Sequence, residues 1–281
     1  MERVKYRARS REEVGTAMAW AANEGWNPGL ADAECFFATD PEGFFCAELG
    51  GKIVGTVSVV NYDERFSFYG LFIVDPRYRA KGIGMDLFRF AMRHAGSRTV
   101  GCDGVVAMVE KYRKDGGFFL HYNNARHEGT GGGRMPAGLV PVQDVDFDLL
   151  AGYDAAHFPA RRERFLRCWI SRPGHYGLAR PGPGGEILGY GVRRACFAGY
   201  KIGPLFAADR ATAESLLDGL VAGIPGEKFY LDIPLPNTDA IALVQERGMN
   251  PVFSTARLYS TPEPVPLPLD EIFGVTTFEL G

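Results

Sequence analysis

Apolar and polar positions fall into short blocks with periods near 2 and near 3.6, and the two kinds alternate along the chain. Val4 to Arg9 alternates enough to predict a first strand. Ser10 followed three residues later by Glu13 is a capping-box signature, and Val14, Met18 and Ala21/Ala22 then recur at helical spacing. Asn23 to Gly29 is a breaker cluster that stops this helix. A short helix is predicted over Asp32 to Ala38. Phe44 to Glu48 and Lys52 to Tyr62 read as strands joined at Gly50-Gly51, and a second hairpin near Asp63-Glu64 leads into Phe66 to Val74. Asp75-Pro76 ends that apolar strand. The clearest helix follows, with Met85, Phe88, Ala91/Met92 and Ala95 on its apolar face. Gly104 to Met108 begins as a short strand, Glu110 to Asp115 is helical up to Gly116-Gly117, and Phe118 to Tyr122 is again strand-like.

The same order then returns. Gly129-Thr130-Gly131-Gly132-Gly133 reads as a linker, which predicts a first domain over 1–130, a Gly-rich connection over 131–138 and a second domain over 139–281. In the second, a helix around Leu149 to Trp169 precedes a hairpin (Tyr176 to Leu178, Ile187 to Val192) and a strand over Ala195 to Leu205. A helix over Ala211 to Val221, a strand over Lys228 to Ile233, a helix over Thr238 to Arg247 and a strand over Val252 to Tyr259 complete it. Pro262, Pro264, Pro266 and Pro268 make an extended tail, and Ile272 to Leu280 after it is patterned like an ordered segment.

Composition narrows the class. The 281 residues are 46% hydrophobic and 23% charged, as in ordinary globular proteins. No apolar run approaches the ~20 residues of a membrane span, and Met1 to Lys5 lacks a signal-peptide core. The five cysteines, at 35, 46, 102, 168 and 196, form no C-x-x-C pair; free thiols in a reducing cytoplasm are expected, without zinc or another metal. Residues 1–135 carry 18 Lys and Arg against 17 Asp and Glu, and residues 136–281 carry 13 against 17. Neither balance is a footprint for nucleic acid.

One stretch carries chemistry. Arg79-Ala80-Lys81-Gly82-Ile83-Gly84 stands between an apolar strand and a helix. A helix start has unpaired N–H groups and partial positive charge, glycines allow close approach of a phosphate, and Arg79 and Lys81 add charge. The expected product is a pyrophosphate cradle. Position 87 is Leu, which breaks a dinucleotide fingerprint, and no Gly-Lys-Ser/Thr follows as in a P-loop.

With the strand before it, Leu71 to Gly84 resembles the acyl-CoA motif of the GNAT N-acetyltransferases, an Arg/Gln-x-x-Gly-x-Gly/Ala run after a strand ending Val-x-Pro. Tyr112 followed by Gly116-Gly117-Phe118 resembles the family's later Tyr-x-x-x-Gly-Phe, with one extra residue. Glu24 to Gly29 and Phe273 to Gly281 resemble a bacterial subgroup with a tandem, degenerate second domain. At the equivalent loop of the second half, Phe206 to Ala213 has no glycine and carries Asp209. The resemblance implies an α/β fold of the α+β type. It would consist of two tandem GNAT-like domains, each a mixed, mostly antiparallel sheet flanked by helices and splayed between its fourth and fifth strands.

The resemblance also implies roles. Acetyl-CoA would be the co-substrate and a small-molecule amine the acceptor. Phe72, Ile73 and Val74 would pair with the pantetheine arm, Arg79, Ala80, Lys81, Gly82, Ile83 and Gly84 would hold the pyrophosphate, and Tyr112 would protonate the departing thiolate. Trp26 and Tyr62, beside loops, are candidate walls of the acceptor pocket. The family's usual base position falls on Phe68, which takes no proton; Asp63, Glu64, Glu24 or a water chain remain open for that role. A CoA-binding regulatory module without turnover, or an acetyltransferase acting on a protein N-terminus or lysine, are the alternative readings.

Overall fold

The computed structural model describes residues 3–263 and 265–281; Met1, Glu2 and Pro264, the last within the expected extended tail, lie outside them. The first half runs β1 (Lys5–Ala8), α1 (Arg11–Asn23), α2 (Asp32–Thr39), β2 (Phe44–Leu49), β3 (Lys52–Asn61) and β4 (Phe66–Val74). It continues through α3 (Ile83–Ala95), β5 (Thr99–Val105), α4 (Val109–Gly116) and β6 (Phe119–Thr130). The second half runs β7 (Val140–Pro141), α5 (Phe147–Ala156), α6 (Glu163–Ser171), β8 (His175–Pro181), β9 (Ile187–Ala195) and β10 (Tyr200–Ala207). It ends with α7 (Arg210–Ala222), β11 (Lys228–Pro234), α8 (Thr238–Glu246), β12 (Asn250–Tyr259) and β13 (Ile272–Gly274). The capping box at the start of α1 is formed: the Ser10 side chain accepts from Glu13 N, and the Glu13 carboxylate accepts from Ser10 N.

All the strands join one sheet, in the order β1-β2-β3-β4-β5-β12-β6-β11-β10-β9-β8-β7, with β13 beside β10. Among the described residues only β4–β5 and β10–β11 pair in parallel, and these pairs occupy equivalent places in the two halves. The strands around 119–130 and 250–259 have exchanged places. β12, from the second half, pairs with β5, and β6, from the first half, pairs with β11; the two pair with each other between. The segment expected as a linker is part of this exchange. Gly129 and Thr130 end β6, Gly131 N donates to Glu227 O and Gly132 N donates to Val221 O.

Each half has its own core, one under α3 and one under α7. A third core belongs to both halves. In it Phe36, Phe44 and Met18 pack with Trp169, Phe206 and Phe278. The expected helix over Leu149 to Trp169 is two helices, α5 and α6, because the chain breaks at His157 to Arg162 around Pro159. Buried Arg162 there clamps Asp154 through two hydrogen bonds. The expectation of five free thiols fails at two positions. Cys35 on α2 and Cys168 on α6 form a disulfide, with Cα atoms 5.3 Å apart. Spacing could not reveal it, since packing brings together residues 133 positions apart. Cys46, Cys102 and Cys196 are free and buried.

The two parallel pairs open differently. β4 and β5 stay paired from Phe66 to Tyr69. At Leu71, whose φ is +48°, a bulge against β3 turns β4 away, and the strands splay beyond it. β10 and β11 likewise pair only over Tyr200–Ile202. That second opening is filled by the chain itself: β13 pairs with Leu205 and Phe206, and Val275 N donates to Asp232 O on β11. The C-terminal segment then crosses to the first half, where the Tyr62 hydroxyl donates to Leu280 O. Among the described residues no helix is long and apolar enough to cross a membrane. No cluster of three or more His, Cys, Asp or Glu side chains there is arranged to hold a metal ion.

Candidate active site

The splay between β4 and β5 opens into a cavity of about 490 Å³. One wall is β4 itself. Asp75 N donates to Val54 O, and Val74 stands opposite Gly55 on β3. Because ladder bonds alternate from residue to residue, the Val74 N–H points away from β3 and into the splay. Phe72, Ile73 and Val74 all line the cavity.

The floor is the turn into α3. Gly82 caps the helix with φ +81°, a conformation that costs a residue with a Cβ about 1–2 kcal/mol. Ala80 before it also has positive φ, +60°. Asp86 N closes the first helical bond on Gly82 O, so the N–H groups of the first turn are left for another acceptor. A Cβ on Gly82 would meet nothing within 4 Å, whereas one on Gly84 would lie 3.2 Å from the Phe72 ring and from Val74. Gly82 thus serves the open turn, and Gly84 serves the close seating of α3 on β4. Arg79 donates to Val74 O (2.8 Å) and pairs with Glu24 (2.6 Å) at the cavity edge.

Not every residue singled out in the sequence reaches this space. Phe72, Ile73, Val74, Arg79, Ala80, Gly82, Gly84, Tyr112 and Trp26 line it. Lys81 points elsewhere, with its ammonium on Arg77 O and over the Tyr78 ring. Ile83 is buried in the core beneath α3. Tyr62 stands apart from the cavity, packed against Phe66 and Phe158, where it ties down the C-terminal segment. Asp63 accepts from Arg65 N and Phe66 N in the β3–β4 turn, and Glu64 shares that exposed turn. Glu24 alone of the three proposed carboxylates lines the cavity, and it is engaged by Arg79.

Tyr112 comes from α4, its ring seated over Gly104 of β5 and edge-on to Phe118. Burial raises its pKa, so the phenol keeps its proton at neutral pH. Cys102 also lines the cavity, and burial pushes its thiol well above the usual range, which leaves it protonated and a poor nucleophile.

Another wall, which meets β4 at Gly70, was not legible in the sequence. It consists of Phe253 and Thr255 from β12 together with Phe278 and Glu279 from the C-terminal segment. Strand exchange delivers the first pair, and the filling of the second splay delivers the other. Asp103 on β5 lies there too, gripped by Arg257 at 2.9 and 2.7 Å and by Asn124 at 2.8 Å. Burial raises its pKa and Arg257 opposes that rise.

A family model for the GNAT family of acetyltransferases matches residues 11–116, and one for a GNAT acetyltransferase domain matches residues 150–274. A holothin acyltransferase of Pseudoalteromonas sp. (strain SANK 73390) is 33% identical over 258 residues, or 91% of this chain and 87% of the relative. The chain belongs to the GNAT family. It is a tandem GNAT protein of the acyltransferase class. Its fold is that of a putative acetyltransferase from Pyrococcus horikoshii, with a TM-score of 0.83 at 22% identity over 99% of this chain and 96% of the other. A tandem GNAT protein from the clavulanic acid biosynthesis pathway superimposes with a TM-score of 0.66 at 15% identity over 93% of this chain and 100% of the other. The expected fold class is that of the molecule: two GNAT domains in tandem on a mostly antiparallel sheet.

Proposed function

We propose that this protein transfers an acetyl group from acetyl-CoA to the amine of a small molecule, by direct attack with both substrates bound. The observation that carries the reading is a single cavity on which three features converge: the glycine turn before α3, the splayed edge of β4 and the Tyr112 phenol. The open turn fits a pyrophosphate, since a Cβ at Gly82 would meet nothing and the first-turn N–H groups of α3 are free to donate. The free edge of β4 from Phe72 to Val74 would pair with the pantetheine amide groups as another strand would. The Val74 N–H would donate to the thioester oxygen as negative charge grows on it. Tyr112 holds the proton that the departing sulfur needs. Direct attack, rather than a covalent acyl-enzyme, is supported by Cys102, the thiol in the cavity, being kept protonated.

A small acceptor is supported by the wall that the second half supplies. Phe253, Thr255 and Phe278 line the cavity, an apolar surface of the kind that small-ligand sites present. The named relative acts on holothin by its name, so holothin belongs in the test. Release of free CoA thiol would be followed with holothin, tryptamine, spermidine and a lysine-containing peptide as acceptors, and products identified by mass spectrometry. Acetylation of at least one small amine, faster than that of the peptide, is the expected result. Binding of acetyl-CoA with no amine-dependent thiol release would instead make the protein a CoA-binding module, and faster peptide acetylation would make it a protein acetyltransferase.

A further inference from the structure

Glu279 is 2% exposed, and among the described residues neither of its carboxylate oxygens accepts a hydrogen bond. Burying a carboxylate without donors is costly, so so complete a lack of partners calls for an explanation. The nearest cation, the Lys201 ammonium, stands 3.9 Å away, too far for a hydrogen bond. Lys201 donates instead to Trp26 O at 3.1 Å. The other charged groups facing Glu279 have partners elsewhere, although both terminal nitrogens of Arg194 lack an acceptor among the described residues. Arg126 on β6 is clamped on Asp232 of β11, Arg194 on β9 is paired with Asp32, and Asp103 on β5 is held by Arg257. Glu279 is therefore a carboxylate fixed in place with its acceptor capacity unused.

Its position is as specific as its environment. The residue lines the cavity, and its backbone runs directly against β4, where a Cβ on Gly70 would collide with the Glu279 carbonyl. Two residues before Gly70 on the same strand is Phe68, which fills the place where a base was expected and is itself buried under Gly281. The chain thus brings a carboxylate from its C-terminal segment to the strand that lacks one. That segment is held at several points: Arg162 donates to Thr276, Thr277 accepts from Leu280 N, and Tyr62 donates to Leu280 O.

We infer that Glu279 is the group that takes the proton from the acceptor amine. This rests on the acetyl-transfer reading above. The amine nitrogen attacks the thioester carbonyl and the C–N bond forms as its N–H proton passes to a Glu279 oxygen. The C–S bond then breaks, with its electron pair leaving on sulfur, and Tyr112 donates a proton to that sulfur. The proton on Glu279 returns through solvent to the Tyr112 oxygen. The products are the amide and free CoA thiol, with both residues restored.

The test is steady-state kinetics of the full-length protein, with acetyl-CoA and whichever of holothin, tryptamine or spermidine the wild type acetylates fastest. Glu279→Gln and Glu279→Asp are compared with wild type across a pH series, with acetyl-CoA binding measured by calorimetry as a check on the fold. Glu279→Asp keeps the charge beside Lys201 while withdrawing the carboxylate by one methylene, so it is informative even if Glu279→Gln fails to fold. Expected is a fall in kcat of about 10²–10⁴-fold for Gln and a smaller one for Asp. Acetyl-CoA affinity should stay within about 3-fold of wild type in both variants. A variant within a few-fold of wild type in kcat, or one whose whole loss lies in the KM for the amine, overturns the inference. A wild type that acetylates none of the amines overturns the underlying reading and the inference with it.

Discussion

Tyr112 shows how a single side chain is prepared for its work by its neighbours. Gly104 on β5 leaves room for the ring, because a Cβ there would come within 2.5 Å of it. Phe118 meets the ring edge-on. Burial holds the phenol neutral, so replacing it by Phe keeps the packing and removes only the proton. Tyr112→Phe is expected to lower kcat by about 10²–10⁴-fold and to leave the KM for acetyl-CoA nearly unchanged; a change within a few-fold would assign the residue to packing alone. Gly82 and Gly84 were visible because a backbone constraint forces glycine into a recognisable spacing. Glu279 was not, because nothing around Phe278-Glu279-Leu280 shows that the carboxylate would be buried beside Gly70, 209 positions earlier in the chain. Tyr62 misled for a related reason. A tyrosine near a loop has the same signature whether it lines a cavity or, as here, donates to a backbone carbonyl.

Among the elements, the C-terminal segment has the largest consequence. Its β13 closes the second splay and its last residues wall the first cavity. The sequence showed that Ile272 to Leu280 is ordered, since it is patterned and follows a proline-rich stretch, but a three-residue strand has no period from which a partner could be read. Thr276 is one of its anchors. It accepts at 2.9 Å from Arg162, which is fully buried with Asp154. Thr276→Val leaves one arm of a buried guanidinium with one fewer acceptor. Stability should fall by about 1–3 kcal/mol, which for a chain of this size is a loss of several degrees in Tm. Scanning calorimetry would check it, and an unchanged Tm would show that the clamp on Asp154 suffices. The same element explains why the loop from Phe206 to Ala213 can lack glycine. Asp209 caps α7 through Thr212 N, in a half whose opening is already taken by the chain itself.

In the whole molecule the halves are not separable. Each has contributed a strand to the middle of the other's sheet, so β5 has β12 as its neighbour, and the largest core draws on both halves. The strand order was beyond sequence reading because β6 and β12 carry equivalent patterns and either satisfies either edge. A fragment ending at Gly133 would lack β12, leave the β5 edge open and expose the shared core. It is expected to show no cooperative melt and no acetyl-CoA binding; a soluble fragment with full-length affinity would contradict this. The central claim is that one splay takes acetyl-CoA and the other is filled by the chain. Calorimetric titration of acetyl-CoA into the full-length protein and into Gly84→Asp tests it most directly. The variant sets a negative charge at the glycine turn and a Cβ against Phe72 and Val74, 3.2 Å away. The account predicts one molecule bound per chain in the wild type and an affinity at least about 100-fold weaker in a folded variant. Two molecules bound per chain, or unchanged affinity in the variant, would contradict it.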